Sequence, residues 1–341
     1  FAMCTSITIK SKDGHYFFGR TLDFFPNFFA DDSLLKPQIS IYPKNTQLHG
    51  QLEDWEAKYA VGGIGIKGSV AMFDGINDAG LAGELNVLEE CTWADQAEIE
   101  SAGLKPLVAE EVITYFLSHF KTVAEIKAHI KEFVLADVDF APAKNSSLMK
   151  RIASHYTFVD PSGDGIVLEP VDHGRFKVYT SIGVMTNSPE YDWQVTNLRN
   201  YVQLQGYNVG NPTLAPTLND SDVLLKQIGY GSGLLGLPGD YTSTSRFVRA
   251  AFLSRFIDDF DSQDGINVLF STYTTVMVPK GVEKVTKTAT DSDSTQYWSG
   301  YDLSKRTFYI KPYDTNRWTR KKLSDFDQET HLEIAHENIY A

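Results

Sequence analysis

The amino-acid sequence predicts an α+β fold, on three observations. Strand-like alternation dominates residues 6–87 and returns at 155–179 and 295–312. Helical periodicity begins only at 105 and again at 245. No regular β-α alternation joins these blocks, and a doubly wound parallel sheet would need one. With 42% of its 341 residues hydrophobic and 13% aromatic, the chain can bury a sizeable core.

The elements follow in order. Ser6-Ile7-Thr8-Ile9-Lys10 alternates polar and apolar, Asp13-Gly14 signals a tight turn, and His15-Tyr16-Phe17-Phe18-Gly19 returns as a second strand. Gln38-Ile39-Ser40-Ile41-Tyr42 alternates again up to Pro43. Residues 58–66 form an apolar run broken by Gly62, Gly63 and Gly65, which suits a buried, curved strand. Asp74-Gly75 and Asp78-Ala79-Gly80 read as turns before a strand at Leu85-Asn86-Val87. Val108, Val112, Tyr115, Phe116 and Phe120 then fall at helical spacing, with Glu110 and Glu111 in the early turns. Thr122 opens a second helix over 123–133, with Glu125 three residues on as a capping box.

Strands resume at 155–159, 165–169 and 176–179. Residues 187–242 are rich in Asn, Gly, Pro and Thr and read as a loop-bearing insertion with one short helix near Val223. Its apolar residues Val202, Leu204, Tyr207, Val209 and Leu214 would be hard for one chain to bury, which predicts self-association. Helices at 245–260 and 266–276 precede a closing hairpin of 295–300 with 307–312. No repeat and no Pro/Ser linker interrupts the chain, so residues 1–341 are expected to form a single domain.

Charge and composition narrow the partners. Against 31 Lys+Arg stand 44 Asp+Glu, a net charge of −13 that repels nucleic-acid phosphates. No apolar stretch approaches the ~20 residues that span a bilayer, and no basic segment followed by an apolar one marks a secretory signal at the start. Two cysteines, Cys4 and Cys91, cannot build a disulfide framework, so a reduced, cytoplasmic chain is expected.

Several motifs carry no function. Gly231-Ser232-Gly233-Leu234-Leu235-Gly236 matches a dinucleotide pattern, but Leu237-Pro238-Gly239-Asp240 follows where a helix must open, so a flexible loop is the better reading. His331 and His336 lack a metal-ligand spacing, and no metal or cofactor is implied. Cys4 stands apart. Were the residues ahead of it removed, its α-amine would lie beside its own sulfur and serve as general base near neutral pH. One residue would then supply nucleophile and base.

The surroundings of Cys4 resemble a known family. Met3-Cys4-Thr5-Ser6-Ile7, Gly19-Arg20-Thr21-Leu22-Asp23-Phe24, Asp74-Gly75-Ile76-Asn77-Asp78-Ala79-Gly80-Leu81, the block from Gly183 through Asn187 to Trp193, and Gly236-Leu237-Pro238-Gly239-Asp240-Tyr241-Thr242 running into Ser245-Arg246-Phe247 occur in order over most of the chain. They resemble the choloylglycine hydrolases, N-terminal-nucleophile enzymes that include penicillin V acylases and conjugated bile salt hydrolases. The resemblance implies a four-layer α-β-β-α sandwich of two antiparallel sheets and hydrolysis of a small-molecule, linear, non-peptide amide without a cofactor. It implies Cys4 as nucleophile, Asp23 as holder of the α-amine, and Arg20 beside the thiol. It further implies Asn187 on the substrate amide or oxyanion, and Arg246 completing the polar cluster. Asn86 is the good amide donor for the oxyanion, but it lies one residue early, so a local bulge is expected to aim it inward.

Phe24 and Phe28 suit an apolar acyl pocket. The Arg20–Phe24 block and residues 191–201 look more like penicillin V acylases, which makes that activity the first reading. Asn86 leans toward bile salt hydrolases, the alternative. Similar enzymes often form tetramers, so a homo-oligomer is expected. Phe1-Ala2-Met3 reads as a leader whose apolar side chains fill the pocket around Phe24 and Phe28 and block activity until the Met3–Cys4 bond is cut. A chain that kept them and hydrolysed neither substrate would be a silent binding or scaffold protein.

Overall fold

Two antiparallel sheets packed face to face carry the structure, a computed structural model that describes residues 3–25, 27–30, 33–142, 146–211, 213–214 and 223–336. Phe1 and Ala2 of the expected leader lie outside the described residues. The first sheet runs in the order Val184–Met185, Met3–Lys10, Tyr16–Phe24, Ser292–Asp302, Thr307–Pro312, Thr319–Lys322, with Glu283–Lys284 paired to the start of Ser292–Asp302. The second runs Arg175–Thr180, Gly165–Asp172, Ser154–Val159, Ala82–Val87, Met72–Asn77, Val61–Ile66, Pro37–Tyr42, Thr330–Leu332.

Helices cover both outer faces. On the first sheet, Ile7, Ile9, Phe17 and Trp298 pack against Phe247, Ala250, Leu269 and Tyr273 from the helices Ser243–Phe256 and Gly265–Tyr273. On the second, the helix Val112–His119 lies over the Met72–Asn77 and Ala82–Val87 strands, where Asn77 Nδ2 donates to the Leu117 and Phe120 carbonyls. Between the sheets Phe28 meets Phe73 edge-on at 5.1 Å. The four layers expected from the family resemblance are therefore present.

Local signals place most elements. Gly14 turns the first hairpin at φ +89°, and the Thr122 side chain accepts the Glu125 N–H to start the helix Val123–His129. Glu125 reaches back to the Lys121 N–H instead of that of Thr122. This helix is shorter than expected, because a 3-10 turn at Ile130–Glu132 leads into a strand, Phe133–Leu135, which pairs with Lys105–Leu107. Two further expectations are overturned. Asp74-Gly75 is no turn but the middle of the Met72–Asn77 strand, since Asp74 finds buried donors that its local sequence does not reveal. Val223 lies in a two-residue strand paired with Thr213–Leu214, while the helix of this region is Tyr191–Asn197.

Within 187–242, Val202 is 77%, Tyr207 70% and Val209 58% exposed, whereas Leu204 is buried against expectation. The Leu214 side chain lies outside the described residues. Gly231–Gly236 contains only a 3-10 turn, Ser232–Leu234, with no helix opening from it. Among the described residues no helix is long and apolar enough to cross a membrane.

Sheet pairing demands a glycine at one point. A Cβ on Gly63 would come 2.1 Å from the Asp74 carbonyl oxygen, a backbone atom that cannot swing aside. Gly63→Ala should therefore destabilise the fold by about 1–3 kcal/mol, as overpacking does. A lower urea midpoint with an unchanged slope would register it, and an unchanged midpoint would show that the two strands part freely here.

Candidate active site

Strand register assembles the site. Cys4 pairs with Leu22 and Ser6 with Arg20 across the first two strands. Residues two apart share a face, so Cys4 and Arg20 point the same way, toward the second sheet. There Asp74 is the cross-strand partner of Glu84, and Asn86 lies two residues beyond Glu84 on the same face. No register shift interrupts the pairing of residues 82–87 with 154–159. The expected bulge is absent, and regular alternation alone turns Asn86 inward.

Arg20 is the hub. It is fully buried, and its Nη2 donates to Cys4 Sγ at 2.7 Å and to Asn86 Oδ1 at 3.3 Å. Its Nε lies 3.0 Å from Glu84 Oε2, and its Nη1 donates to the Phe73 carbonyl at 3.1 Å and lies 3.7 Å from Asp74 Oδ2. Asp74 also accepts from Tyr297 at 2.6 Å, from Ser299 at 2.7 Å and from Tyr301. Asn86 Nδ2 is buried with no partner among the described residues, a spare donor on the side chain that shares Arg20 Nη2 with the thiol.

A second arginine holds the other side of Cys4. Thr242 caps the helix Ser243–Phe256, whose first turns present Arg246. Arg246 Nη1 donates to the Cys4 carbonyl at 2.5 Å and to Thr5 Oγ1 at 2.7 Å, and Nη2 donates to Asn187 Oδ1 at 2.9 Å. Asn187 Oδ1 also accepts the Cys4 N–H at 2.9 Å, and its Nδ2 donates to the Val87 carbonyl at 3.0 Å. Asp23, cross-strand partner of Met3, accepts from Thr295 Oγ1 at 2.5 Å, while its buried Oδ2 has no hydrogen-bond partner among the described residues.

Burial sets the electrostatics. It pushes the Cys4 thiol up to about 12, against the pull of Arg20, so with a peptide bond ahead of Cys4 the thiol keeps its proton. Asp23 rises to about 6 because burial outweighs Arg246 and the Thr295 hydroxyl, and Glu84 rises to about 8 because burial outweighs Arg20. Among the described residues no cluster of three His, Cys, Asp or Glu side chains could hold a metal ion.

Two spaces open at Cys4. An apolar pocket of about 190 Å³ is lined by Cys4 and Arg20 with Leu22, Phe24, Phe28 and Phe73, and the Phe24 and Phe28 rings meet edge-on at 4.4 Å. Met3 does not line this pocket, contrary to the expected placing of the leader. It lines a wider, polar cleft with Asn187 and Ser243, because continuing the strand backward from Cys4 leads past Asp23 and away from the aromatic rings.

All the residues singled out in the sequence thus gather here, Asp23 through the field of Arg246 more than through contact. Sequence reasoning missed Asp74, Thr295, Tyr297 and Ser299. Glu84 gave a signal, a charge inside an apolar strand, that pointed to a buried partner.

A family model described as linear amide C–N hydrolases, choloylglycine hydrolase family, matches residues 4–335, starting at Cys4 itself. The chain belongs to this family. A bile salt hydrolase/transferase of Clostridium perfringens is 32% identical over 323 residues, 92% of this chain and 91% of that protein. A solved variant of conjugated bile acid hydrolase from the same organism superposes with a TM-score of 0.82 at 26% identity, covering 99% of both chains. A penicillin V acylase of Pectobacterium atrosepticum is 30% identical over only 242 residues, 65% of this chain and 53% of that protein.

Similarity to a bile salt enzyme therefore runs much further along this choloylglycine hydrolase than similarity to that penicillin acylase, against the first reading of the sequence. Blocks that favoured the acylase have structural tasks: the Tyr191 N–H caps Glu169 at 2.9 Å and its hydroxyl accepts from the Ile182 N–H at 2.7 Å. They carry little information about substrate.

Asp23 gives a pH signature. Its folded-state pKa of about 6 lies above the unfolded carboxylate value of about 3.9. The folded chain keeps a proton that the unfolded chain has lost, so this stabilisation is full below about pH 4 and disappears as pH rises through about 6. Its size is about 3 kcal/mol, from 1.36 kcal/mol per unit. In the chain that keeps Met3, Asp23→Asn should flatten the fall in stability between pH 4 and 7, measured by urea denaturation. Parallel curves for the two proteins would mean that Asp23 ionises as an ordinary carboxylate.

Proposed function

We propose that this chain is a conjugated bile salt hydrolase that works through Cys4 once the residues ahead of it are removed, its two sheets and their helices acting as one catalytic domain. The observation that carries this reading is the near full-length similarity to bile salt hydrolases, together with an apolar pocket opening at Sγ.

Cutting the Met3–Cys4 bond turns the Cys4 amide nitrogen into an amine. The unpartnered Oδ2 of Asp23 and the Oδ1 of Asn187 are acceptors for the new N–H groups. The amine takes the thiol proton, and the resulting ammonium and Arg20 stabilise the thiolate. Sulfur adds to the amide carbonyl, whose acyl chain occupies the pocket of Phe24 and Phe28. Asn86 Nδ2 donates to the oxyanion, one of the preorganised donors worth on the order of 10²–10³ in turnover. The tetrahedral adduct collapses as the C–N bond breaks, and the leaving amine takes the ammonium proton. Water, losing a proton to the same α-amine, then attacks the thioester, releasing the carboxylic acid and the thiol.

A second reading, penicillin V, is favoured by the size of the pocket. Its volume of about 190 Å³ falls below the roughly 300–1,000 Å³ usual for ligand sites, which suits a single aromatic acyl group. Side-by-side turnover of cholylglycine, cholyltaurine and penicillin V by protein trimmed to Cys4 separates the two. Cholyl amides should be cleaved fastest, trimming should switch activity on, and Cys4→Ser should remove it while keeping the fold. Faster turnover of penicillin V would replace the bile salt reading. Inactivity on all three after verified trimming would make the chain a silent family member.

We further propose that the exposed apolar residues Val202, Tyr207 and Val209 are covered by another copy of the chain, as a tetramer would do. Sedimentation at micromolar concentration should find an oligomer, and a strict monomer would remove this proposal.

A further inference from the structure

We propose that the cleft beside Cys4 selects amides whose amine half carries a positive charge. The inference rests on the amide hydrolysis at Cys4 proposed above and concerns the half of the substrate that this reading leaves open.

The apolar pocket and the polar cleft flank the thiol, with Val87 bordering both. An amide whose carbonyl lies at Sγ, with its acyl chain among Phe24 and Phe28, directs its nitrogen substituent into the cleft of about 610 Å³ whose wall holds Asn187 and Ser243. Removing Met3, which lines this cleft, enlarges it.

The charged side chains lining this cleft, among the described residues, are Glu89, Glu283, Asp293 and Lys284: three carboxylates against one ammonium. Glu283 and Asp293 are direct cross-strand partners, a pairing of like charges that destabilises a sheet unless a cation neutralises it. Lys284 is the exposed neighbour of Glu283, on a strand of two residues. Asp293 is only 6% exposed, yet its Oδ1 has no hydrogen-bond partner among the described residues. A buried carboxylate oxygen without a donor is unfavourable by itself, and a bound ammonium removes that penalty. Burial and the neighbouring Asp23 raise Asp293 to about 7, and burial raises Glu283, as befits carboxylates crowded together without a cation. A carboxylate or sulfonate tail on the amine half meets this same field as repulsion. The substrate class is therefore an apolar acyl group joined to a diamine or a basic amino acid.

The test uses chain trimmed to Cys4 and three cholyl amides that differ only in the amine half: 1,4-diaminobutane (cationic), n-butylamine (neutral) and glycine (anionic). At low salt kcat/KM should fall in that order, with the cationic amide ahead of the anionic one by about tenfold or more, the worth of one charge-assisted contact. Asp293→Asn and Glu283→Gln should each lower that ratio several-fold. Anionic turnover equal to or above cationic, or a ratio unmoved by both variants, would overturn the inference and leave the bile salt reading intact. Phenoxyacetyl amides of the same three amines form the second series. If cholyl amides are inert and the phenoxyacetyl amides follow the charge order, the acyl assignment fails and the cleft assignment stands. Calorimetric binding of both series to trimmed Cys4→Ser gives the order without turnover, and a preference for the anionic member there counts against the cleft as charge selector.

Discussion

A guanidinium sealed between two sheets is the constraint on which the site depends. Arg20 has no access to water, so every donor it carries must find an acceptor, and the partners it finds come from both sheets: the Cys4 sulfur from one, and Asp74, Glu84, Asn86 and the Phe73 carbonyl from the other. Removing one side of such a buried ionic cluster costs about 3–5 kcal/mol, because the other side is left charged and unpaired. The sheets consequently meet in one register, and the thiol is held where that register puts it. The hydroxyls of Tyr297, Ser299 and Tyr301 serve the same end by satisfying Asp74, which otherwise would compete for more of the arginine.

Arg246 performs the complementary task from the helical side. It grips the Cys4 carbonyl, Thr5 and Asn187 together, so the backbone at Cys4 is fixed from one face while its sulfur is fixed from the other. Each arginine meets a different polar population, carboxylates for Arg20 and neutral oxygens for Arg246. Asp23 lies close enough to Arg246 to feel its charge but keeps one oxygen unpaired. That leftover acceptor is what gives an α-amine at Cys4 somewhere to bind. The surroundings divide in the same sense, apolar around Phe24 and Phe28 and acidic around Glu283 and Asp293.

Much of this was legible in the order of residues. Strand alternation, the Asp13-Gly14 turn, the Thr122 cap and the Ser292–Asp302 with Thr307–Pro312 hairpin are local features whose cause lies within a few residues. Cys4, Arg20, Asp23, Asn187 and Arg246 could be picked out because several blocks of sequence occur together in order. The misreadings share a cause. Asp74-Gly75 has the chemistry of a turn, and only donors more than two hundred residues away make it a strand interior. Asn86 looked misplaced by one residue because spacing along a strand was counted without knowing which face the strand presents.

The sequence by itself determined the α+β class, most of the strands and helices and the family resemblance, since period, turn chemistry and capping act over short distances along the chain. Tertiary structure alone decided which polar groups meet. It turned Glu84 and Asn86 toward Arg20, left one oxygen of Asp23 and one of Asp293 without donors, and paired Thr330–Leu332 with Pro37–Tyr42 across nearly the whole chain. Such pairings depend on how one sheet lies on another, and no local pattern of residues encodes that contact.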